Sequence, residues 1–297
     1  MPELAEVETV ARGLRPLEGR RIVSVWFGKT DFIAEPQRLA ALLPGTCLAS
    51  VNRRGKLLLL ELQPQAPAVG ASGETFWLLI HLGMTGQLVL RDPSQPLAPH
   101  THVRFALDDG RELRYVDVRR FGRMRIATVE ELAEIVAPLG ADPLEVSEDE
   151  FRRRLSASRA RVKSILLDQG VLRGLGNIYA DESLWWAQIH PLRRGAELSA
   201  EELGRLWRSI RNVAREAIRL RGTSVSDYVD ANGQPGGYQK RLRVYRRTGR
   251  PCRRCWAPIE RIVVAGRGSH FCPQCQPARR VRSNRRSSGG RKKRLGS

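Results

Sequence analysis

Four cysteines near one end of this 297-residue chain restrict its folding more than any other feature: Cys252 and Cys255, sixteen intervening residues, then Cys272 and Cys275. Two C-x2-C knuckles at this spacing can close a tetrahedral thiolate site around one Zn2+ ion. No coordination position is left for a substrate, so the zinc is expected to be structural. Four unrelated buried cysteines would not account for two knuckles at matched spacing. The insert between them, WAPIERIVVAGRGSHF, alternates like a β-hairpin turning at Ala265 to Gly268, which puts Arg267 at or near its tip. Cys47 has no comparable neighbour and reads as an ordinary core cysteine.

Ahead of the cysteines the chain is long enough for two ordinary domains with cores of their own. Val7, Val10, Ala11 and Leu14 recur at i, i+3, i+4 and i+7, which predicts a helix from about Pro2 to Leu14. Short β-rich runs follow: IVSVWF, KLLLLEL, TFWLLIHL, QLVL, HVRFAL, ELRYVDV and RMRIA, with Asp109-Gly110 as a hairpin turn. They predict a β-sandwich built on the N-terminal helix. From Thr128 the period lengthens. Thr128 with Glu131, and Ser147 with Glu150, each fit a capping box, and GADPLEV between them reads as a linker. A helical domain therefore begins near Ser147. Its last helix is capped by Ser199 and Glu202, lined by Leu203, Leu206, Trp207, Ile210, Val213, Ala214, Ala217 and Ile218, and stopped by Gly222. Before it, GVLRGLGNIYADE joins a helix ending near Gln169 to one starting near Asn177. Turns feeding a helix N-terminus present free N–H groups that suit a phosphate, although a sharp turn alone would use the same residues.

Charge indicates the partner. Lys and Arg number 51 against 31 Asp and Glu, a formal net charge of +20. Nine of the basic residues fall in 278–297 with no acidic one, leaving 42 against 31, so the remainder is basic in its own right. A polyanion is the expected ligand. The segment 278–297 has too few apolar residues to pack and is expected to be disordered, adding nonspecific affinity for that polyanion. There is no apolar run of roughly 18 residues and no signal-peptide pattern, so no membrane partner is expected and a cytoplasmic location is.

Pro2 has two readings. Proline is common in a first helical turn because it has no N–H to satisfy there. It is also small enough that the initiator methionine is ordinarily removed before it, which would free a secondary amine.

The start PELAEVET, RRGK at Arg53 to Lys56, HLGMTG at His81 to Gly86, RYVDVRRFG at Arg114 to Gly122, GLGNIYADE at Gly174 to Glu182 and the cysteine pairs, in order from residue 2 to about 276, together resemble the bacterial formamidopyrimidine-DNA glycosylase (Fpg, MutM) family. The resemblance implies an α+β multidomain architecture: an N-terminal β-sandwich with an N-terminal helix (2–127), a linker (128–146), a helix-two-turns-helix domain with a lesion-capping loop (147–240), a β-hairpin zinc finger (241–277) and the basic tail (278–297). It implies a bifunctional base-excision repair enzyme, working as a monomer on damaged double-stranded DNA, that removes oxidised purines such as 8-oxoguanine and formamidopyrimidines and then nicks the strand. By the same match Pro2 is the nucleophile, Glu3 the general acid and base, and Lys56 a phosphate contact that assists β-elimination. Arg267 binds phosphate during δ-elimination, and Asn177 grips a phosphate beside the lesion. Met84, Arg119 and Phe121 match the residues that fill the void left by a flipped nucleotide, although on sequence alone Met84 and Phe121 read as core. His100, Arg119 and Arg159 match DNA contacts, with Arg161 and Lys163 expected along the backbone. Residues 226–240, SDYVDANGQPGGYQK, resemble the flexible lesion-capping loop.

Two departures stand out: Ala5 replaces a usual second proline, and Ser158 stands where a basic contact is often found, which shifts that role to Arg159. The nearest alternative is the sister enzyme endonuclease VIII, which prefers oxidised pyrimidines; the Met84, Arg119, Phe121 set and the long glycine-bearing loop favour the purine enzyme. A catalytically silent zinc-finger DNA-binding protein is a further alternative, against which the intact Pro2, Glu3 and Lys56 count.

Overall fold

The computed structural model describes residues 2–64 and 74–278. Removal of Met1, and the expected disorder and DNA affinity of the tail beyond Ala278, lie outside the described residues.

Helix α1 (Leu4–Leu14) begins later than its periodicity suggests. Glu3 has an extended backbone (φ −106°, ψ −170°), and its N–H is taken at 2.8 Å by the Glu6 carboxylate one turn ahead. Pro2 and Glu3 therefore stand ahead of the helix, Glu3 as its N-cap in a capping box with Glu6. The face of α1 divides between two cores. Leu4 and Ala5 pack among helices, whereas Val7, Val10, Ala11 and Leu14 pack into the sandwich. Fully burying each such leucine or valine contributes roughly 1.5–3 kcal/mol, so α1 ties the two cores together.

The sandwich has two antiparallel sheets. One runs β1 (Ile22–Phe27), β6 (Thr101–Leu107), β7 (Glu112–Val116), β5 (Gln87–Arg91); the other runs β2 (Thr46–Arg54), β3 (Leu57–Pro64), β4 (Phe76–His81), β8 (Arg123–Ala127). The Asp109-Gly110 turn joins β6 to β7, with Gly110 at φ +82°. The Leu57–Leu62 run does not alternate in polarity because both its faces are covered. Leu58, Leu60 and Leu62 fill the sandwich, while Leu59 joins Leu79 and Ala127 beneath Leu132 and Ile135 of α3 (Val129–Val136). Helix α2 (Pro36–Leu42) and strand β2 are additional to the sequence-based expectation. Strand β2 is rich in polar residues and bulged between Leu48 and Ser50, which breaks the period-2 signal. Cys47, on this strand, is half-buried rather than core.

The second core gathers α4 (Glu148–Ser156), α5 (Val162–Leu167), α6 (Asn177–Ala187) and α7 (Ala200–Arg219). The Thr128 and Ser199 capping boxes form completely. At Ser147 only half forms, because the Glu150 carboxylate pairs with Arg154 instead. Trp207, half-buried, donates its Nε1 to the Val146 carbonyl at 3.1 Å. In the finger, β9 (Glu260–Val264) and β10 (Arg267–Phe271) are joined by Ala265 and Gly266 alone, both at positive φ (49° and 69°). Arg267 is thus the first strand residue, facing Val264, and exposed. Trp185 of α6 packs with Val244, Cys252, Ile259 and Cys272 to anchor the finger.

Candidate active site

At the seam between the cores, the N-terminus of α6 receives the Glu3 carboxylate. The N–H groups of Gly176 and Ile178 donate to it at 2.9 Å each, and that of Tyr179 at 3.3 Å. These are the helix-terminal donors that the glycine-rich turn offered to a phosphate; the chain's own carboxylate occupies them. Gly176 is required by proximity: a Cβ there would lie 2.4 Å from Glu3 Cδ. Backbone pairing of the Leu4 N–H with the Gly174 carbonyl at 2.9 Å fixes the approach. Glu3 is buried there, at the end of the helix whose free N–H groups suit an anionic oxygen.

Glu6 lies beneath. It accepts the Glu3 N–H, the Thr223 N–H at 2.7 Å and the Tyr179 hydroxyl, which also meets Thr223 Oγ1 at 2.8 Å. Burial, then the nearby Glu3 charge, pushes the Glu6 pKa up to about 7. Tyr179 thus serves both carboxylates, its N–H reaching Glu3 and its hydroxyl Glu6, while the turn after α7 holds Glu6 alone.

Lys56 follows Gly55 in the β2–β3 turn and is half-buried. Burial lowers its pKa, the Glu3 charge opposes that, and Arg267 reinforces it, which places Lys56 within electrostatic reach of both. Burial, then Lys56 and Arg123, keeps the His81 pKa low, and His81 Nδ1 accepts the Gly83 N–H at 3.1 Å. Arg53, buried at 6 % exposure, bridges Glu8 at 3.1 Å and Asp142 at 2.9 Å and so locks the turn that carries Lys56 across the seam. Pro2, next to Glu3 in the chain, is buried.

A second group lies on the outside. Met84 is 40 % exposed and Phe121 49 %, and the Arg119 guanidinium sits 4.4 Å from the Phe121 ring centroid. Apolar side chains left in water on two adjoining loops, with a cation stacked on one, are surplus to the core. Asp117 organises them from beneath, a residue that the motif analysis passed over. Fully buried, it accepts the Thr85 hydroxyl, the Gly122 N–H at 2.9 Å, the Arg119 N–H at 3.3 Å and the Tyr115 hydroxyl at 3.2 Å. A lone aspartate within the apolar run RYVDV was the available signal. Gly83 (φ +62°) crosses so close that a Cβ would meet the Phe121 backbone at 2.4 Å. His100 is exposed at φ +65°, its carbonyl taking the Asp117 N–H at 3.1 Å.

Arg159 and Arg161 are exposed beyond α4 and at the start of α5. Lys163 corrects the expectation of a backbone contact: it is fully buried and paired with Asp181. Asn177 turns its Nδ2 toward the finger, donating to the Gly268 carbonyl at 2.9 Å, while its buried Oδ1 lacks a protein partner. The glycine-bearing segment 226–240 packs in part and exposes Asn232, Gln234, Pro235 and Lys240. Tyr228 and Ala231 enter the sandwich core, and Gly236 is small because a Cβ would lie 2.3 Å from the Gly222 carbonyl. Ser226 and Asp227 remain exposed.

The four cysteine sulfurs lie within 4.8 Å of one another, with Cys252–Cys275 at 3.9 Å and Cys255–Cys272 at 3.3 Å. Tetrahedral zinc with Zn–S bonds of about 2.3 Å needs sulfurs about 3.8 Å apart. The Arg254 and Cys275 N–H groups point at the Cys252 and Cys272 sulfurs at 3.4 Å, orienting them as thiolate ligands. The set fits one structural Zn2+.

Comparison with known proteins agrees across the chain. Residues 1–124 match the family model described as formamidopyrimidine-DNA glycosylase N-terminal domain, 139–229 the formamidopyrimidine-DNA glycosylase H2TH domain, and 249–278 the zinc finger found in FPG and IleRS. The formamidopyrimidine-DNA glycosylase of Herpetosiphon aurantiacus is 45 % identical, over 93 % of this chain and 100 % of the relative. That of Desulforamulus reducens is 43 % identical, over 94 % and 100 %. Among solved structures, a complex of Lactococcus lactis Fpg with DNA containing an abasic site superposes with a TM-score of 0.84 at 35 % identity, covering 93 % of this chain and 99 % of that one. A complex of the wild-type Lactococcus lactis protein with DNA containing an oxidised pyrimidine gives 0.83, also at 35 % identity, with 93 % and 100 % covered.

Proposed function

Since the chain belongs to the formamidopyrimidine-DNA glycosylase family, acting as a DNA glycosylase and AP lyase on oxidised purines in damaged double-stranded DNA, we propose that its chemistry runs through Pro2, Glu3, Lys56 and Arg267. The observation that carries this reading is the Glu3 carboxylate seated on three N–H groups of α6, with Lys56 and Arg267 within electrostatic reach.

Removal of Met1 frees the Pro2 nitrogen. A terminal α-amine has a pKa near 8, so roughly a tenth is unprotonated at neutral pH. That nitrogen attacks C1′ of the flipped nucleotide, the glycosidic C–N bond breaks, and the base leaves with the bonding pair and takes up a proton. Glu3 takes the proton that the Pro2 nitrogen sheds and delivers it to the ring oxygen, so the C1′–O bond breaks and the sugar opens to an iminium. The cation acidifies C2′. Loss of that proton breaks the C3′–O bond and releases the 3′ phosphate, and loss of the C4′ proton then expels the 5′ phosphate. Lys56 and Arg267 supply positive charge to the departing phosphates, and hydrolysis of the iminium restores Pro2. Met84, Arg119 and Phe121 fill the vacated stack, while His100, Arg159 and Asn177 contact the DNA backbone. Zinc held by Cys252, Cys255, Cys272 and Cys275 supplies rigidity to the finger and no reaction step.

One chain carries every group named, which supports a monomer. The test is borohydride trapping on duplexes carrying 8-oxoguanine or thymine glycol. A covalent adduct is expected, strongest with 8-oxoguanine, and Pro2→Gly is expected to cleave more slowly; cleavage by it at the normal rate would refute the nucleophile assignment. Absence of an adduct with either lesion would sink the reading. Preference for thymine glycol would select a pyrimidine enzyme, a second reading favoured by the Lactococcus lactis complex with an oxidised pyrimidine.

A further inference from the structure

We propose that Asp181 is a positioning residue for strand cleavage: with Asn177 it fixes β10, and so Arg267, to the same helix that seats Glu3. The inference rests on the reading that Arg267 serves the departing phosphates.

Helix α6 presents two sets of contacts. Its first N–H groups hold Glu3. Its side chains at 177 and 181, one turn apart on a single face, hold the hairpin. Asn177 Nδ2 donates to the Gly268 carbonyl at 2.9 Å, and Asp181 Oδ2 accepts the His270 N–H at 3.0 Å with the His270 ring Nδ1 at 3.1 Å. The spacings match: four helical residues rise about 6.0 Å and two strand residues about 6.6 Å. The helix therefore grips alternate rungs of β10, directly after Arg267. A shift of the strand by one residue would break both contacts.

The second oxygen of Asp181 pairs with the Lys163 ammonium, which also approaches the Asn177 carbonyl at 3.4 Å. Side-chain exposure is 0 % for Lys163 and 1 % for Asp181. A buried ion pair is a weak source of stability, since apolar residues of similar volume often replace one without loss. What this pair provides is direction: with one oxygen held by Lys163, the other can point only at β10. The two cations assigned to the phosphates are then placed by different means, Lys56 by the Arg53 bridges and Arg267 by Asp181.

The experiment uses the full-length, zinc-loaded enzyme on duplexes containing 8-oxoguanine. Base release in single turnover, the ratio of δ- to β-elimination products and zinc per chain are measured together. The first variant is Asp181→Asn, which keeps an oxygen for the His270 N–H. The second is the double substitution Lys163→Met with Asp181→Leu, which removes both charges and fills the space. For the double variant one zinc per chain is expected, with base release within about threefold of wild type and a δ to β ratio at least about tenfold lower; Asp181→Asn is expected to fall between. An unchanged product ratio would overturn the proposal, as would base release and both eliminations falling in parallel, the signature of a purely structural role. Wild-type enzyme that forms no borohydride adduct would remove the reading beneath the inference and the inference with it.

Discussion

Glu3 and Glu6 are one helical turn apart, both buried, yet their surroundings differ. Three helix-terminal N–H groups surround the Glu3 carboxylate, whereas Glu6 faces that charge and is driven to a pKa of about 7. The consequence for stability has a definite sign. In the unfolded chain Glu6 loses its proton near its ordinary value of 4.5. Between there and pH 7 the folded state alone keeps the proton, so stability falls as pH rises, and above 7 the penalty is constant. Glu6→Gln carries no such dependence. Its stability relative to wild type is expected to rise by about 3 kcal/mol between pH 4.5 and 8, measured by denaturant unfolding of the zinc-loaded proteins. A flat difference would show that Glu6 is ionised throughout. The sequence displayed Pro2 and Glu3 as a motif, but not the seat on residues 176–179, because that contact joins positions more than 170 apart. Lys163 was misread for the same reason: its sequence neighbours are basic, and the aspartate that buries it lies eighteen residues on.

Among elements, those with strict periodicity were legible. Helix α7, with its capping box and apolar stripe, lies where Ser199, Glu202 and the spacing of Leu203 to Ile218 put it. Strand β2 was not legible, since a bulge and polar residues erase its alternation. The loops bearing Met84 and Phe121 were legible only through their motif, because apolar residues next to strands read as core. Their exposure now makes a prediction at this scale. Met84→Ala and Phe121→Ala remove surface that the fold does not use, so unfolding free energy is expected to change by less than about 0.5 kcal/mol. Excision of 8-oxoguanine is expected to fall at least about tenfold, through the few kcal/mol needed to unstack a base. Cleavage at a preformed abasic site, where no base has to leave the stack, is expected to fall less. Equal losses on both substrates would argue that these side chains shape the pocket rather than fill the void.

At the scale of the whole molecule, charge and core divide the labour. The zinc finger and the basic balance were plain in composition and spacing; the sharing of α1 between two cores was not, because one apolar stripe does not say how many surfaces it serves. Removing residues 279–297 deletes nine positive charges. The expected outcome is weaker binding to undamaged duplex and a shallower slope of log K against log salt, measured by fluorescence anisotropy from about 50 to 200 mM salt. An unchanged slope would mean that these residues release no counterions from DNA. The seat of Glu3 on α6 also bears on how the protein is made. Synthesis delivers Pro2 and Glu3 first, but Gly176, Ile178 and Tyr179 follow only after more than half the chain has been translated. Until they emerge, Glu3 has no holder and Leu4 no core to enter. A growing polypeptide thus carries Pro2 and Glu3 without the seat on α6 until that helix has been made.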